Sequence, residues 1–432
     1  MVVMSLARIF LGALATAAMV TSVAAQDPAA GRLSLARARE LAREASPELR
    51  AARAAVAAAA GRERQAAAHP NPALLVSHER TEREGARNSQ IIAQVEQPLE
   101  VAGQPGARRN AARYRREASQ ADLDHLQAQV DLAVSRAYAG AFAGDRRVAL
   151  ADRMLAAFDR AVTLSERRLA AGDVSGFSHR RLQLEAARWA AARAQAALDR
   201  RSARLALAGL IAAQPDSVPA LAQLPLDSVV VEPVTLGVDA LRSQARARRA
   251  DLRAARFLAA AADASVHVAA RERIPVPVIA VGYKTEESAG LDERLNGFTL
   301  GFTLPLPVWN RRGGLVDAAR AEARGREAEV AAVERRITRE VTEAYDAFQA
   351  TERQRVALAP RLGAEADTAL AAVEVAFAEG ELTLVEWLDA QRAYHDASAT
   401  YIALQAEAVI RRAELDRASG GALTAPTQEG IR

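Results

Sequence analysis

Residues 297–314 read GFTLGFTLPLPVWNRRGG, and this stretch decides how the rest of the chain is interpreted. Apolar side chains alternate with small or polar ones from Phe298 to Leu304, a period of two that is typical of a β-strand with two different faces. Pro305 and Pro307 then end the strand. The neighbouring sequence is rich in Ala, Arg, Leu and Glu with helical spacing, so this strand interrupts a mainly helical chain.

A fainter copy of this stretch lies 207 residues earlier, in QVEQPLEVAGQPGARRNAAR at 94–113. Both copies carry a proline and a glycine at the same spacing: Pro98 with Gly106, and Pro305 with Gly313. Similar offsets match two further pairs of segments, 48–53 with 251–256 and 172–175 with 380–383. A duplication of this extent predicts two structural repeats, 33–210 and 235–417, joined by a proline-containing linker at 211–234.

Each repeat predicts the same order of elements: helix, strand, strand, long helix and a last helix. The first helices are expected at 35–68 and 238–273, and the long helices run to the turns at Gly172 and Gly380. A long helix of this kind would measure roughly 100 Å, so two shorter helices stacked end to end beside it make each repeat an antiparallel rod. The predicted strands are 74–80, 90–98, 276–284 and 298–305, and the tail at 418–432 is expected to be disordered.

The composition limits the chemistry of the chain. Half of the 432 residues are apolar, aromatic residues make up 4%, and there is no cysteine. Disulfides, thiolate metal sites and cysteine nucleophiles are therefore excluded. The net charge of +4 comes from arginines interspersed with acidic residues, which predicts no nucleic-acid partner.

Neither a catalytic site nor a cofactor site is predicted. The sequence has no phosphate-binding loop and no constellation of side chains typical of an enzyme, so we expect no catalysis and no cofactor. Its histidines lack the paired spacings of a metal site, and no metal ligand is predicted. They are His69, His78, His125, His179, His267 and His395.

The N-terminus has the pattern of an export signal. Arg8 precedes an apolar run from Ile9 to Val20, and small residues at 23–25 suit cleavage by a signal peptidase. Residues 1–25 are predicted to be a signal peptide, because an apolar run of about a dozen residues is too short for a membrane anchor. No cysteine follows, so we expect no lipidation, and no later segment approaches the ~20 apolar residues of a transmembrane helix.

The four predicted strands have the length and the alternation of transmembrane β-strands. An open four-stranded sheet would leave unpaired backbone groups in lipid, so the sheet has to close with further copies of itself. Tyr283, Phe298, Phe302 and Trp309 are then expected to supply the outward apolar band and the interfacial aromatic residues. The alternative from the pattern alone is a soluble hairpin that caps a helical bundle.

These features together resemble the TolC-type outer membrane efflux protein family. The resemblance covers 33–417 and rests on the export signal, the two repeats, the order of elements and the Gly-acidic-x-Ser/Thr turns at 172–175 and 380–383. Within the family, QPLEVAGQPGARRNAA and FTLPLPVWNRRGGLVDAA are most similar to the outer membrane components of cobalt-zinc-cadmium efflux systems.

The resemblance implies a mainly α fold with a small membrane β-barrel. It implies a homotrimer in which three protomers with four strands each close one twelve-stranded barrel in the outer membrane of a Gram-negative bacterium. The helices then form a long tunnel through the periplasm, and Pro98, Gly106, Pro305 and Gly313 mark the turns from strand to tunnel. The implied function is a passive channel for heavy-metal cations, which works with a periplasmic adaptor (a membrane fusion protein) and an inner-membrane RND pump.

The two helical turns are the functional tips that the resemblance implies. Gly172-Asp173 and Gly380-Glu381 correspond to the periplasmic end, where the tunnel closes and meets its partners. Glycine permits the tight backbone that a hairpin tip requires. Phe377 and Leu169, one turn before these glycines, are expected to pack the tip.

Glu386 and Asp389 follow the second turn at positions i and i+3, on one face of the predicted helix. They align with acidic residues that line the narrow entrance in family members. In a trimer, three copies of each would form a ring of six carboxylates, which would attract cations and disfavour anions. A solvated charged face is the alternative interpretation.

Two other functions stay open at this stage. The same channel would serve equally well for drugs or for a secreted protein. A soluble periplasmic coiled-coil adaptor or scaffold belongs to a different class, and it should carry a β-rich lipoyl-like module between its helical arms. No such module is predicted from this sequence.

Overall fold

The computed structural model describes residues 32–83, 86–214, 236–288, 294–362 and 364–421, together with Val234 and Leu423. The predicted signal peptide, most of the predicted linker and the tail after residue 423 lie outside the described residues. Among the described residues, none of the helices combines the length and the apolar character needed to cross a membrane.

The described part of the chain is mainly helical and contains one small sheet. The helices are α1 (Leu35–Ala45), α2 (Pro47–Ala66), α3 (Gln104–Ala170), α4 (Gly176–Ile211), α5 (Val238–Arg248), α6 (Ala250–Arg271), α7 (Gly313–Leu362), α8 (Ala364–Glu379) and α9 (Leu384–Ala418). The strands are β1 (Ala73–Arg83), β2 (Ala86–Pro98), β3 (Val278–Ser288) and β4 (Leu295–Thr303). The predicted order of elements is therefore present in both repeats.

The first helix of each repeat is broken, whereas the sequence analysis expected a continuous helix over 35–68 and over 238–273. Ser46 separates α1 from α2, and its side chain accepts a hydrogen bond from the Leu49 N–H, while Pro47 occupies the first helical turn. Arg249 separates α5 from α6 with an extended ψ of 126°. A helix does not pass through such a residue, so each expected helix becomes two.

The long helix of the first repeat follows the prediction, and the long helix of the second repeat is described in two parts. Helix α3 is continuous over 67 residues, a length of roughly 100 Å at 1.5 Å per residue. In the second repeat the described helical residues are α7 up to Leu362 and α8 from Ala364, and residue 363 between them lies outside the described residues.

The four strands form one antiparallel sheet in the order β1-β2-β3-β4. The central pairing of β2 with β3 joins the two repeats, for example through Val95 opposite Val281. The strand bounds differ from the predicted 74–80, 90–98, 276–284 and 298–305. All four strands reach further towards the two hairpin loops than expected, because the cross-strand ladder continues as long as backbone partners remain available.

The helices next to the sheet keep the order of the strands. Helix α3 packs against α2 and α6, and α6 packs against α7, so the helical layer runs α2-α3-α6-α7. Towards the far end, α3 packs against α4 and α9, and α9 packs against α7 and α8. The protomer is therefore a single-layer wall whose two edges are formed by β1, α2 and α4 on one side and by β4, α7 and α8 on the other.

Small residues allow the helices of this wall to pack closely. Three clusters of buried apolar side chains lie along it, and alanine is frequent in each of them. Helix α1 adds a second layer where it covers α3 and α4 and buries Leu33, Tyr138 and Leu207, and α5 packs on α7 in the second repeat. The Tyr138 hydroxyl donates to the Leu33 carbonyl at 2.8 Å, which satisfies the buried phenol.

Candidate functional site

The turn between α3 and α4 has the backbone geometry that its sequence predicts. Gly172 adopts a φ of +84°, in the left-handed region that glycine enters without a steric cost. The Asp173 N–H donates to the Arg168 carbonyl at 2.8 Å, which satisfies one of the last carbonyls of α3. Ser175 then caps α4 by accepting a hydrogen bond from the Ser178 N–H at 3.1 Å.

The turn between α8 and α9 repeats this geometry and adds a capping box. Gly380 adopts a φ of +89°, and the Glu381 N–H donates to the Ala376 carbonyl at 2.9 Å. The Glu386 N–H donates to the Thr383 hydroxyl oxygen at 3.3 Å, and the Thr383 N–H donates to the Glu386 carboxylate at 2.8 Å. Two otherwise unsatisfied donors at the start of α9 are thereby paired.

Glu386 consequently has a structural task that the sequence analysis missed. The signal was present as Thr383-x-x-Glu386, which is the sequence pattern of a capping box. The hydrogen bond from the Thr383 N–H holds the pKa of the Glu386 carboxyl below its usual value. Asp389 lies one turn further along α9 with its side chain 71% exposed and the Arg392 guanidinium 4.0 Å away. Both carboxylates are accessible, and their arrangement in an entrance ring stays a prediction.

An aromatic cluster lies beneath these turns and joins the two repeats. Trp387 is only 2% exposed, and its ring packs against Phe158 and Phe377 at centroid distances of 4.8 and 4.9 Å. The expectation that Phe377 packs the tip is therefore correct. Leu169 is 36% exposed in the protomer, and its packing at the tip stays a prediction.

Polar contacts also hold the two helical hairpins of one protomer together. The Arg168 guanidinium donates to the Ala378 carbonyl at 2.8 Å, just before the second turn. Arg160 and Glu374 form an ion pair at 3.1 Å, and Arg392 forms one with Glu185 at 2.9 Å. These contacts fix the relative position of the two tips within a protomer, although exposed ion pairs such as these contribute little stability individually.

The sheet has two chemically different faces. Residues directly opposite each other in an antiparallel pair project to the same side, so Tyr283 shares a face with Phe298, and Val281 with Leu300. This apolar face comprises Leu74, Val76, Ile91, Ala93, Val95, Ile279, Val281, Tyr283, Phe298, Leu300 and Phe302. The opposite, polar face carries Ser77, Glu79, Gln90, Gln94, Glu96, Lys284, Glu286, Thr299 and Thr303.

The large side chains of the apolar face have few contacts within the protomer. The four predicted interfacial aromatic residues, Tyr283, Phe298, Phe302 and Trp309, are all exposed, and the Tyr283 and Phe298 rings contact each other at 5.7 Å. A soluble monomer rarely exposes a contiguous apolar area of this kind. The face is therefore suited to an apolar environment outside the protomer.

The turns from strand to helix use different residues from those predicted. Pro98 ends β2 as expected, but Gly106 lies inside α3, and the turn is made by Gly103 with a φ of +70°. In the second repeat, Pro305 follows β4 as expected, and Gly313 is the first residue of α7. The left-handed step there is made by Arg312, with a φ of +52°.

Helix α4 exposes an apolar stripe, which we define as Phe177, Leu184, Ala191, Leu198 and Leu205. These five positions repeat every seven residues, which is the spacing of a coiled-coil seam. The stripe lies at an edge of the wall and has no partner helix within the described part of the protomer. Its sequence signal was visible, but the sequence does not reveal which face of α4 the protomer leaves uncovered.

Within the described residues, no group of three or more histidine, aspartate or glutamate side chains is arranged to hold a metal ion. The ionic groups of the wall are paired along and between helices instead. The largest such group surrounds Arg249, which donates to Asp251 and Glu340 at 2.7 Å each.

Comparison with known proteins places this architecture in a family. A family model described as outer membrane efflux protein matches residues 38–213 and 241–421. The chain belongs to the outer membrane efflux protein family. It is 28% identical over 399 residues to the cobalt-zinc-cadmium resistance protein CzcC of Cupriavidus metallidurans, with 91% of each chain covered.

Solved structures of two channels share the fold. A structure of CusC, described in terms of folding and transmembrane channel formation, matches with a TM-score of 0.73 and 18% identity, covering 90% of this chain and 92% of that one. The open state of the outer membrane channel MtrE of Neisseria gonorrhoeae matches with a TM-score of 0.69 and 22% identity, covering 90% and 89%. At these identities the similarity shows the fold, including the mainly helical architecture with its small sheet.

Proposed function

We propose that the protein is a homotrimeric channel in the outer membrane of a Gram-negative bacterium, through which heavy-metal cations pass passively from the periplasm to the exterior. It acts without catalysis, as the outer membrane component of a tripartite pump. A periplasmic adaptor and an inner-membrane RND pump are the other two components. The observation that carries the proposal is that one protomer is an open wall, with two uncovered edges and one apolar sheet face.

The sheet edges require further copies of the chain. Strands β1 and β4 each have one side without a backbone partner in the sheet. In lipid every unpaired backbone group costs several kcal/mol, so about ten residues on each edge strand could not remain open there. Pairing β1 of one protomer with β4 of the next closes the barrel, and three protomers give twelve strands.

In this barrel the two faces of the sheet have separate tasks. The apolar face with Phe298 and Leu300 contacts lipid, and the polar face with Gln94 and Thr299 lines the water-filled lumen. The helical edges close in the same way. The exposed α4 stripe of one protomer packs against the opposite edge of its neighbour, where Val356 and Val375 are exposed.

Two observations support metal cations as the cargo. The similarity to CzcC, named as a cobalt-zinc-cadmium resistance protein, extends along nine-tenths of the chain. In the trimer, the exposed carboxylates of Glu386 and Asp389 lie near the helical tips and lower the electrostatic energy of a cation at the entrance. The pump selects among the metals, because the channel acts on its cargo only through the charge of its entrance and the width of its pore.

The channel and its cargo are tested separately. The purified full chain, reconstituted in planar bilayers, is expected to give discrete ion-conducting steps, and fractionation should recover it with the outer membrane. Recovery as a soluble periplasmic protein, or bilayers without conductance, would contradict the channel. Deletion of the gene should lower growth on graded zinc, cobalt and cadmium. Unchanged metal tolerance together with drug hypersensitivity would replace the cargo but keep the channel.

A further inference from the structure

A cationic cavity lies between α3 and α6, directly below the sheet. Its volume is about 650 Å³, and its lining is formed by Gly106, Ala107, Arg109, Asn110, Arg113, Ala264, His267 and Arg271. Three of these side chains are permanently charged arginines, and none is a carboxylate. The cavity therefore has an uncompensated positive charge.

Among the described residues, no close ion pair neutralises the three arginines, which are all exposed at the open mouth of the cavity. Arg271 donates to the carbonyls of Ala102 and Gly103 at 2.9 and 3.2 Å, and the Arg113 guanidinium lies 4.9 Å from the centre of the Tyr114 ring. Arg109 approaches only Glu63, at 3.9 Å.

The surrounding carboxylates are already engaged or lie outside the cavity. Glu63 accepts a closer hydrogen bond from Arg116, at 2.8 Å, and Glu117, one turn beyond Arg113, also pairs with Arg116. Asp263, one turn before His267 on α6, is not part of the lining. A ligand with negative charge would therefore complete the cavity.

Arg108, the neighbour of Arg109 in the sequence, does not share this property. Arg108 forms two hydrogen bonds with Glu100, at 2.5 and 2.9 Å, and is thereby neutralised. The second repeat has Val316 and Asp317 where the first has Arg109 and Asn110, and Asp317 lies 3.7 Å from Arg320. The duplication thus gives a comparison, because the position equivalent to Arg109 is uncharged and the arginine equivalent to Arg113 has Asp317 beside it.

The cavity lies on the side of the wall that α1 also covers. Along α3, residues at steps of three and four lead from Asn110 and Arg113 to Asp124, which pairs with Arg253 of α6, and on to Asp131, which accepts a hydrogen bond from Arg43 of α1 at 2.8 Å. In the proposed trimer a second helical layer on the inner side would narrow the tunnel, which favours the outer side for α1 and for the cavity. Helices α3 and α6 are central in the wall, so the cavity is complete within one protomer.

We infer that this cavity binds the phosphate group of an anionic phospholipid, held by Arg109, Arg113 and Arg271 with Asn110 as a further donor. The inference rests on the proposed function, which places the sheet in the membrane. Helix α6 ends at Arg271 and β3 begins at Val278, so the cavity then lies at the level of the periplasmic head groups. Basic side chains at this depth attract anionic lipid, and guanidinium groups match the geometry of phosphate oxygens.

The test compares three ligands on the detergent-solubilised full chain. Phosphatidylglycerol, phosphatidylcholine and inorganic phosphate are titrated separately, and the number bound per protomer is counted by native mass spectrometry. The double variant Arg109→Gln with Arg113→Gln should weaken phosphatidylglycerol binding about 30-fold, which is the effect expected for the loss of two arginines near a membrane surface. Arg320→Gln is the control, because it removes one arginine charge at the position of the second repeat that is equivalent to Arg113, and it should leave binding unchanged.

Three results would overturn the inference. The first is an unchanged affinity for phosphatidylglycerol in the double variant, and the second is an equal loss in Arg320→Gln, which would indicate general surface charge. The third is variant-sensitive binding of inorganic phosphate without binding of the lipid. Conductance in pure phosphatidylcholine bilayers tests the channel independently. A conducting protein with unaltered lipid affinity refutes only the lipid site, whereas a wild-type protein without conductance refutes the proposed function.

Discussion

Replacement of two leucines of the α4 stripe by alanine should separate the trimer without unfolding the protomer. Leu184 and Leu198 are 68% and 63% exposed in the protomer, so their side chains contribute little to its own core. In the proposed trimer both become buried against the neighbouring α7 and α8. The double variant Leu184→Ala with Leu198→Ala therefore acts on the interface alone.

The expected magnitude follows from the area that remains to be buried. Full burial of a leucine side chain stabilises by about 1.5–3 kcal/mol, and roughly two-thirds of each of these side chains is still exposed. Each interface should therefore lose about 3 kcal/mol. A cyclic trimer repeats the interface three times, so the loss is about 9 kcal/mol per trimer, or roughly a millionfold in the dissociation constant.

The measurement is the oligomeric state of the detergent-solubilised full chain as a function of concentration, by analytical ultracentrifugation. Wild type should remain trimeric where the double variant is monomeric, while circular dichroism shows the same helix content. Val101→Ala is the control, because the Val101 side chain is also largely exposed, at 69%, but lies between the central elements β2 and α3 and away from the edges of the wall. The Val101→Ala variant should therefore remain trimeric. A double variant that dissociates at the same concentration as wild type would refute the assignment of the α4 stripe to the interface.

Three further predictions concern the tips and the buried charges. Gly380→Ala should lower the free energy of unfolding by about 1 kcal/mol, because alanine is strained at a φ of +89°. Gly61→Ala inside α2 is the control and should raise the free energy of unfolding by about the same amount, since alanine is the better helix former. Thermal unfolding compares the two variants, and a stabilised Gly380→Ala variant would contradict the turn geometry. Glu386→Gln with Asp389→Asn should reduce cation preference while glutamine keeps the capping box, and an unaltered reversal potential in planar bilayers would refute the acidic entrance. Burial disfavours the charged form of Asp251, but hydrogen bonds from Arg249 outweigh this and hold its pKa below the usual value. The contribution of Asp251 to the stability of the folded protein is therefore complete above the pKa of about 4 that this carboxyl has in the unfolded chain. This contribution is lost as the pH falls through the lower pKa of the folded state. At neutral pH the unfolding temperature of wild type should be higher than that of Asp251→Asn, and at acid pH the two unfolding temperatures should become similar. A difference that does not change with pH would argue against this ion pair.

Much of the fold could be predicted because its signals are local and occur twice. The alternation from Phe298 to Leu304 indicates a strand wherever it is placed, and the glycines at 172 and 380 indicate helical turns because other residues are strained at a positive φ. The breaks at Ser46 and Arg249 were missed. At Ser46 the local signal existed as Ser-Pro, but at Arg249 the break coincides with a buried ion pair whose partner Glu340 is 91 residues away.

The candidate site was predicted less completely, since the task of a side chain depends on its neighbours. Glu386 was identified as an acidic residue near the tip, but its carboxylate is also half of a capping box with Thr383. Gly106 was assigned to a turn that Gly103 makes, because two glycines three residues apart do not reveal which one adopts a positive φ. The α4 stripe had a seven-residue spacing in the sequence, yet only the packing of α4 on α3 shows that it faces outwards.

The sequence by itself determined the duplication, the order of helices and strands, and the two-faced character of the strands, because each of these depends on spacing along the chain. Only the tertiary structure decided that the two hairpins join into one sheet through β2 and β3, and that a protomer is an open wall. It also decided which charges stay unpaired, leaving Arg109 and Arg113 facing a cavity while Arg108 is neutralised by Glu100. The physical reason is that pairing depends on distances between residues far apart in the chain, which adjacent sequence does not encode.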